Sequence, residues 1–418
     1  MKGVRKLACA SAGFAAAIFA AHYLLPLNLL YPLAAVLALL SLSGLLAKGR
    51  ARQRIIITVL AISAGLAAYS LHYNNTLKLC EPLAGKKETV SFCLTDYPQL
   101  RSYGNTACAM LCEPSLPETK LIIYDYSGEL YDLPPGTLLR GELTFKSASK
   151  RNGYSTDHFI ADGVYLCAVL SGKAELMPNG STESLRYIPQ RLGHALRQKI
   201  ADVFPESEAP FMIALLTGDK TEYYLDEELS AYMSIAGLAH IVAVSGMHVS
   251  FLVAFIQLIF GKRRGVSLIS VILIWLFVLM SGSSPSAERA GFMMTVYLLA
   301  PIFRRENDRA TTLSFALAVL LAINPFACAS VSLQLSFAAI SGIFLFTELL
   351  YSWLDERLPG SGRVKLYILS AFSNSIAVSV FSIPVIAAHF GYVSLFSALT
   401  NVLCLWMISL LFIGGYIV

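Results

Sequence analysis

The chain has 418 residues, of which 56% are hydrophobic and only 14% are charged. Soluble domains carry about 25% charged residues, so this composition excludes a soluble enzyme, a disordered chain and a small disulfide scaffold. A multi-pass membrane protein is the class that remains. The net charge of +5 is uneven, because residues 1–73 contain seven Lys or Arg and no acidic residue. This excess is typical of a cytoplasmic membrane anchor and does not indicate a basic domain for nucleic acid.

Three apolar runs open the chain, at about residues 7–25, 27–47 and 55–71. Each is long enough to cross about 30 Å of hydrocarbon. Basic residues flank them at Lys2, Arg5, Lys6 and within 48–54, which places the N-terminus and that loop in the cytoplasm. The second run follows the first so closely that a cleaved signal peptide is disfavoured. We predict a three-span membrane anchor over residues 1–73.

Residues 74–183 lack long apolar runs and predict a small all-β domain outside the membrane. The strand candidates are Thr89–Thr95, Lys120–Tyr126, Thr137–Phe145 and Val164–Leu170. Turns are predicted at Pro134-Pro135-Gly136, Asn152-Gly153 and Ser171-Gly172. Several short strands favour a small sandwich or barrel, with the OB type among the candidates.

Five cysteines fall in this outer segment, where an oxidising compartment permits a disulfide bond. We expect a disulfide among Cys80, Cys93, Cys108, Cys112 and Cys167. Cys108 and Cys112 have the spacing of half a metal site, but no second cysteine pair accompanies them. No metal ion is therefore predicted.

Residues 184–208 predict an amphipathic connector. Leu192, Leu196, Ile200 and Val203 form one apolar stripe, which Lys199 interrupts. Two alternatives stay open: the helix lies at the membrane interface, or it packs on the β domain.

The second membrane block covers residues 209–418. Its first span, Ser234–Phe260, is longer than the bilayer requires and is interrupted by Gly237 and Gly246. The further spans are Val266–Gly282, Gly291–Phe303, Thr311–Asn324, Ser330–Thr347, Leu366–His389 and Phe396 onward. Inner loops carry Arg304, Arg305, Arg357 and Arg363. The fold class is thus a polytopic α-helical membrane protein of about ten spans. Because the chain stops within an apolar run, we expect the natural protein to continue past Val418.

Polar residues are costly in a bilayer and normally face a protein interior or a wet path. His240, Ser245 and His248 are the first such cluster. Ser245 and His248 are three residues apart and would share a helix face, which permits a Ser–His nucleophile pair. The alternatives are histidines hydrogen-bonded between helices, or a helix broken at Gly246 that lines a polar passage.

Further candidates follow along the same block. Pro285 and Ser286 predict a helix start, after which Arg289 either snorkels to the interface or contacts an anion such as phosphate. Gln334 and Asn401 are read as interhelical hydrogen-bonding groups or as parts of the passage. Asp219, in a predicted turn, is a further candidate for that passage.

Several of these segments resemble the ComEC competence family. Ala214–Lys220 (ALLTGDK) is similar to the family's ALLLGD, and Gly237–His248 (GLAHIVAVSGMH) to GLSHLLAVSGLH. The other matching segments are Pro285–Ala290 (PSAERA), Asn324–Gly342 (NPFACASVSLQLSFAAISG), Asn401–Leu405, and in the outer domain Pro135–Gly141 and Gly153–Val164. Glu288 and Leu333 depart from the family pattern.

The resemblance implies a channel in the bacterial cytoplasmic membrane that passes single-stranded DNA during natural transformation. By position it carries over His240, Ser245, Gly246, His248, Arg289 and Gln334 as channel or fold-determining residues. It implies an extracytoplasmic DNA receptor and a cytoplasmic DNA translocase as partners. The family's C-terminal metallo-β-lactamase-like domain is not present in the given sequence, and no P-loop is found, so we expect no enzymatic activity and no cofactor. The alternatives are an intramembrane hydrolase built on Ser245 and His248, and a small-solute transporter of the broken-helix type.

Overall fold

The structure is a computed structural model. It describes residues 6–43, 50–101, 104–112, 119–151, 154–178, 180–242, 244–300, 308–358, 360, 362–391, 393–394 and 396–417. The predicted basic flanks Lys2, Arg5, Lys48, Arg304 and Arg305 and the turn at Asn152-Gly153 lie outside the described residues. The chain divides into two compact units. One contains Met1–Tyr187 and Thr295–Ser330, and the other contains Ile188–Met294 and Val331–Val418.

The helices of the described residues are, in chain order, α1 Lys6–Tyr23, α2 Leu27–Ser43, α3 Arg50–Asn75, α4 Leu77–Cys80, α5 Asp157–Ala161, α6 Ile188–Val203, α7 Ala209–Thr217, α8 Thr221–Leu225, α9 Glu227–Ile235, α10 Ala239–Val242, α11 Gly246–Phe260, α12 Arg264–Met280, α13 Pro285–Leu299, α14 Arg309–Ile323, α15 Val331–Arg357, α16 Arg363–Phe390 and α17 Ser397–Gly415. The strands are β1 Lys87–Leu94, β2 Gln99–Arg101, β3 Gly104–Leu111, β4 Thr119–Asp125, β5 Leu138–Ser147, β6 Lys150–Arg151, β7 Tyr154–Ser155, β8 Leu166–Leu170 and β9 Glu175–Leu176.

Three of the described helical segments are long and apolar enough to cross a membrane, namely Gln53–Leu83, Val331–Arg357 and Arg363–Phe390. Shorter apolar helices include Gly246–Phe260 and Arg264–Met280. The predicted helical segments are therefore present, whereas the count of about ten spans and their orientation stay predictions. Small residues let the first helices approach closely: a methyl group on Gly65 in α3 would lie 2.7 Å from the Phe14 carbonyl oxygen in α1.

The β domain of the first unit is a five-stranded barrel, which confirms the barrel alternative over the sandwich. Its strands follow the order β1, β3, β4, β8 and β5, and β5 pairs with β1 to close it. The β4–β8 pair is parallel, and the other four pairs are antiparallel. All four predicted strands are confirmed. Their inward residues, including Phe92, Leu143 and Phe145, form the buried core.

Strand β3 was not predicted from the sequence. Its inward positions are Asn105, Ala107, Ala109 and Leu111, and the small or polar members of that set do not give the apolar alternation of a strand. Short side chains are accommodated there because the neighbouring strands supply the bulk of the core.

The expected disulfide bond is absent, since none of the described cysteines forms one. Strand register gives the physical reason. Cys93 lies opposite Met110, and Ile122 separates Cys108 from Cys167 across the sheet. No two cysteines are therefore placed directly opposite each other in these pairs.

The turn after β4 is organised by one buried carboxylate. Asp125 accepts hydrogen bonds from the backbone N–H groups of Ser127, Gly128 and Leu130 at 2.8–3.0 Å, and from the Ser127 hydroxyl at 2.7 Å. Burial alone would raise the pKa of Asp125, but these hydrogen bonds outweigh it and hold the pKa below its ordinary value. The ionised form of Asp125 thus stabilises the folded turn.

The barrel is attached to the helices of its own unit by polar and aromatic contacts. Asn324, which follows α14, donates from its amide nitrogen to the carbonyl oxygens of Ile160 and Ala161 at 3.2 and 3.0 Å. The Nε2 atom of His72 lies 2.9 Å from the Tyr165 hydroxyl, and the Phe326 ring packs edge-on against His72. These contacts fix the barrel against α3 and the end of α14.

The longest helices, α15 and α16, belong to the second unit and cross at a glycine. A methyl group on Gly342 would lie 2.1 Å from the Ala377 carbonyl oxygen. Only glycine permits this approach of the two backbones, which is the usual role of small residues between membrane helices. The Thr347 hydroxyl donates to the Asn374 side chain at 2.9 Å and adds a polar contact to the same pair.

Candidate functional site: a broken helix

The predicted span over Ser234–Phe260 is interrupted, as its glycines indicate. Helix α9 ends at Ile235, the short helix α10 covers Ala239–Val242, and α11 begins at Gly246. Gly237 has a φ of +74°, in the left-handed region that favours glycine. The Gly237 and Gly246 interruptions are therefore confirmed, and the segment has the form of a broken helix.

A broken helix leaves backbone carbonyl groups without their helical partners, which costs several kcal/mol per group in lipid. Side chains just before and within the first turn of α17 supply the missing donors. The Ser394 hydroxyl donates to the Ile235 carbonyl at 2.8 Å, and the Thr400 hydroxyl donates to the Ala236 carbonyl at 2.7 Å. The break is thus stabilised by the protein itself.

The other side of the break is closed by Ser245 and His248. Ser245 has an extended backbone and is the N-cap of α11, and the two residues form a capping box. The Ser245 N–H donates to Nδ1 of His248 at 3.1 Å, and the Ser245 hydroxyl lies 3.3 Å from the same nitrogen. Ser245 precedes α11 and is therefore not part of a helix face, but the two side chains are adjacent, as their three-residue spacing predicts.

His248 is fully buried and packs edge-on against Phe412 with ring centroids 5.1 Å apart. Its Nδ1 accepts the Ser245 N–H, so the lone pair that a general base would use is already engaged. His240, by contrast, is exposed, and its Nδ1 lies 3.0 Å from the Gly237 carbonyl oxygen. The two histidines therefore have different environments. Among the described residues no cluster of metal ligands is found.

Three sequence segments that are far apart in the chain meet at the break. A methyl group on Gly218, whose φ is +79°, would lie 2.5 Å from Val244. A methyl group on Gly246 would be in van der Waals contact with Ala290, 3.7 Å away. The turn after α7, the break and the N-terminal part of α13 are consequently neighbours.

Arg289 connects a fourth segment to this cluster. Its Nη2 donates to the backbone carbonyl of Ser332 at 2.7 Å and to the Ser332 hydroxyl at 2.8 Å. Arg289 is only 2% exposed, so the expectation that it snorkels to the interface is wrong. The helix start predicted at Pro285 and Ser286 is confirmed, and Ser286 is partly exposed in the first turn of α13.

Asp219 is held in an ion pair. Its Oδ2 lies 2.7 Å from Nη1 of Arg197 in α6, and its Oδ1 accepts from the N–H and hydroxyl of Thr221 at 2.9 and 2.6 Å. This arrangement fixes the turn after Gly218 and joins α6 to it.

Gln334 and Asn401 both make interhelical contacts. Oε1 of Gln334 lies 3.1 Å from Nε2 of His389, which joins α15 to α16. Nδ2 of Asn401 donates to the Ser375 hydroxyl at 3.4 Å, which joins α17 to α16. Both residues therefore stabilise the helix bundle directly, as the simpler of the two sequence interpretations predicts.

Asp219, Ser245, Gly246, His248 and Arg289 thus lie in neighbouring segments around the break, and His240 is exposed beside it. Gln334 and Asn401 instead make their contacts with α16. Sequence reasoning missed Ser332, Ser394 and Thr400 as partners of the residues around the break. Ser332 lies in a segment that the sequence singled out, and Thr400 directly precedes Asn401. Ser394 had no such signal.

Residues 215–418, which contain the break, match the family described as Competence protein. This segment, just under half of the chain, is similar to the competence protein family. The expected family resemblance is therefore confirmed over this segment.

Two curated relatives extend this result. The chain is 29% identical to ComE operon protein 3 of Bacillus subtilis over 205 residues, which are 48% of this chain and 25% of that protein. It is 20% identical to Recombination protein 2 of Haemophilus influenzae over 385 residues, which are 87% of this chain and 46% of that protein. The chain thus spans less than half the length of each relative. No solved structure matches it.

Proposed function

We propose that the chain forms a conduit that passes single-stranded DNA across the bacterial cytoplasmic membrane during natural transformation. The observation that carries the proposal is the broken helix of the family segment, whose freed backbone groups are satisfied by Ser394, Thr400 and the Ser245–His248 cap. Irregular backbone at membrane depth is tolerated where it is buried in protein or lines a cavity. The similarity to competence proteins is the reason for proposing DNA as the transported molecule.

The state of Arg289 bears on how such a conduit treats its cargo. Its Nη2 is bound to Ser332, so we assign Arg289 to positioning α13 against α15, with no direct role in holding phosphate. A conduit must bind its cargo weakly and at several sites, because a tightly held strand would not leave. Uncharged hydroxyl, amide and backbone groups around the break suit weak contacts with a passing strand.

The β domain is assigned the role of receiving the strand outside the membrane. A closed five-stranded barrel fits the OB type, which binds oligonucleotides on its surface. Tyr126 is 56% exposed and available for stacking on a base, whereas Tyr124 is buried in a cluster with Ile160 and Phe326. In this proposal the barrel lies outside the cell, the N-terminus lies inside, and the chain works with an extracytoplasmic DNA receptor and a cytoplasmic translocase.

The intramembrane hydrolase is the second candidate, because the Ser245 hydroxyl lies 3.3 Å from Nδ1 of His248. The conduit is favoured over it, since that nitrogen also accepts the backbone N–H of Ser245 at 3.1 Å. A broken-helix transporter of small solutes shares the geometry of the break but receives no support from the competence kinship.

Uptake of labelled double-stranded DNA by a strain lacking this gene tests the proposal. We expect the deletion strain to retain surface-bound label but to accumulate no DNase-resistant internal label, and the wild-type gene to restore it. Normal internal label in the deletion strain would contradict the conduit. Measuring the uptake of amino acids and sugars in the same strains separates a general transport defect from a DNA-specific one.

A further inference from the structure

The rest of the protein covers only part of the apolar face of helix α6. Pro189, Gly193 and Ile200 lie on its buried side, and a methyl group on Gly193 would be 2.7 Å from the Met280 carbonyl oxygen. Ile188, Leu192 and Val203 continue this face around the helix but remain 43–49% exposed. Amphipathic helices in soluble units bury such a stripe completely, so half of this one lacks a partner.

The position of α6 indicates what covers the exposed half. Met280 is the last residue of α12, an apolar helix that begins next to Lys262, Arg263 and Arg264. Helix α6 therefore crosses the end of α12 opposite to this basic cluster. Exposed apolar residues of α12 extend up to that crossing and include Ile272 and Leu279. The exposed stripe of α6 is thus continuous with the surface that α12 would turn to lipid.

We propose that α6 lies flat in the membrane interface, with Ile188, Leu192 and Val203 inserted at the boundary between headgroups and acyl chains. Interfacial helices bury their apolar face about 5–10 Å into this region. Lys199, which interrupts the stripe and is exposed, then extends its ammonium group to the lipid phosphates while its methylenes stay in the apolar layer. The Arg197–Asp219 ion pair, 2.7 Å long, holds the helix in this orientation.

This inference concerns lipid contact and does not depend on which cargo the protein moves. The test uses the full chain in vesicles, with Trp275, Trp353 and Trp406 replaced by Phe and one new tryptophan introduced. Leu192→Trp and Ile188→Trp report on the stripe, Gln198→Trp reports on the exposed polar side of the same helix, and Ile272→Trp reports on α12. Vesicles contain phosphatidylcholine brominated either near the headgroup end or near the methyl end of its acyl chains.

We expect the tryptophans at 188 and 192 to lose most of their emission with the shallow bromines and less with the deep ones. The tryptophan at 198 should keep its emission with both lipids. Quenching at 272 without quenching at 188 or 192 would overturn the proposal, because protein would then cover the stripe. Equal quenching at 192 and 198, or stronger quenching of 192 by the deep bromines, would also overturn it, since the helix would then be immersed in the bilayer.

Discussion

Arg289 and Ser332, 43 residues apart in the chain, are joined by two hydrogen bonds from one guanidinium nitrogen. This pair joins the N-terminal part of α13 to the first turn of α15. Gly246 packs against Ala290, which directly follows Arg289 in α13. The Arg289–Ser332 pair therefore also stabilises the helix break. A buried guanidinium that donates to protein groups acts as a structural anchor, and its loss leaves buried partners unsatisfied.

Replacing Arg289 by Ala should destabilise the second unit by about 3 kcal/mol, because two charge-assisted hydrogen bonds are lost. Ser332→Ala should cost less, since the bond to the backbone carbonyl of Ser332 remains. Thermal unfolding in detergent and transformation frequency measure both effects. The exposed Arg363→Ala is the matched control. Equal melting temperatures for wild type and Arg289→Ala would contradict the anchor role.

Substitutions of Ser245 distinguish the conduit hypothesis from the hydrolase hypothesis. Ser245→Ala removes the N-cap of α11 and should cost about 1 kcal/mol, with reduced DNA uptake. Ser245→Asn keeps a good N-cap but removes the hydroxyl nucleophile. The conduit predicts that the Asn variant retains most of its uptake. Loss of uptake in the Asn variant equal to that in Ala, together with serine-probe labelling of the wild type only, would favour the hydrolase. Ser250→Ala, on the exposed side of α11, is the control.

Gly342→Ala should separate α15 from α16. The added methyl group would lie 2.1 Å from the Ala377 carbonyl oxygen, so the helices must move apart, at a cost of about 1–3 kcal/mol. Gly265→Ala in α12 adds the same methyl group in open space and serves as the control. A lower melting temperature is expected for Gly342→Ala alone. Identical melting temperatures for the two variants would show that the helices do not cross at this glycine.

The turn after β4 should depend on pH through Asp125. Because its folded pKa lies below its ordinary value, the stabilisation is fully present above about pH 4 and is lost as the pH falls through the depressed pKa. Protease cleavage within the 126–131 turn should therefore rise in acid for the wild type. Asp125→Asn should be cleaved readily at neutral pH and should change little with pH. Glu129→Gln, an exposed residue of the same turn, should behave like the wild type.

Much of the β domain was predictable because its strands alternate clearly. Phe92, Leu143 and Phe145 mark the inward faces of β1 and β5 in the sequence itself. Strand β3 was not predictable, because Ala107 and Ala109 occupy inward positions that only the assembled barrel identifies as core. The closure of β1 on β5 likewise depends on contacts between residues far apart in the chain.

The residues of the site were predictable from the sequence, but the contacts between them were not. Gly237 and Gly246 indicate a broken helix, and Gly237 adopts the left-handed backbone conformation that glycine favours. The sequence does not show that Ser394 and Thr400 satisfy the carbonyls this break exposes, or that Arg289 bonds to Ser332. Those partners depend on how α13, α15 and α17 pack, and no local sequence pattern encodes this packing.

The central claim is that single-stranded DNA passes the helix break. A photo-crosslinking amino acid at position 240, which is exposed beside the break, tests it most directly during uptake of labelled DNA. The conduit predicts an adduct that a single-strand nuclease removes, and no adduct from position 272 on the exposed face of α12. Efficient uptake with no adduct at 240, or with equal adducts at 240 and 272, would contradict the claim.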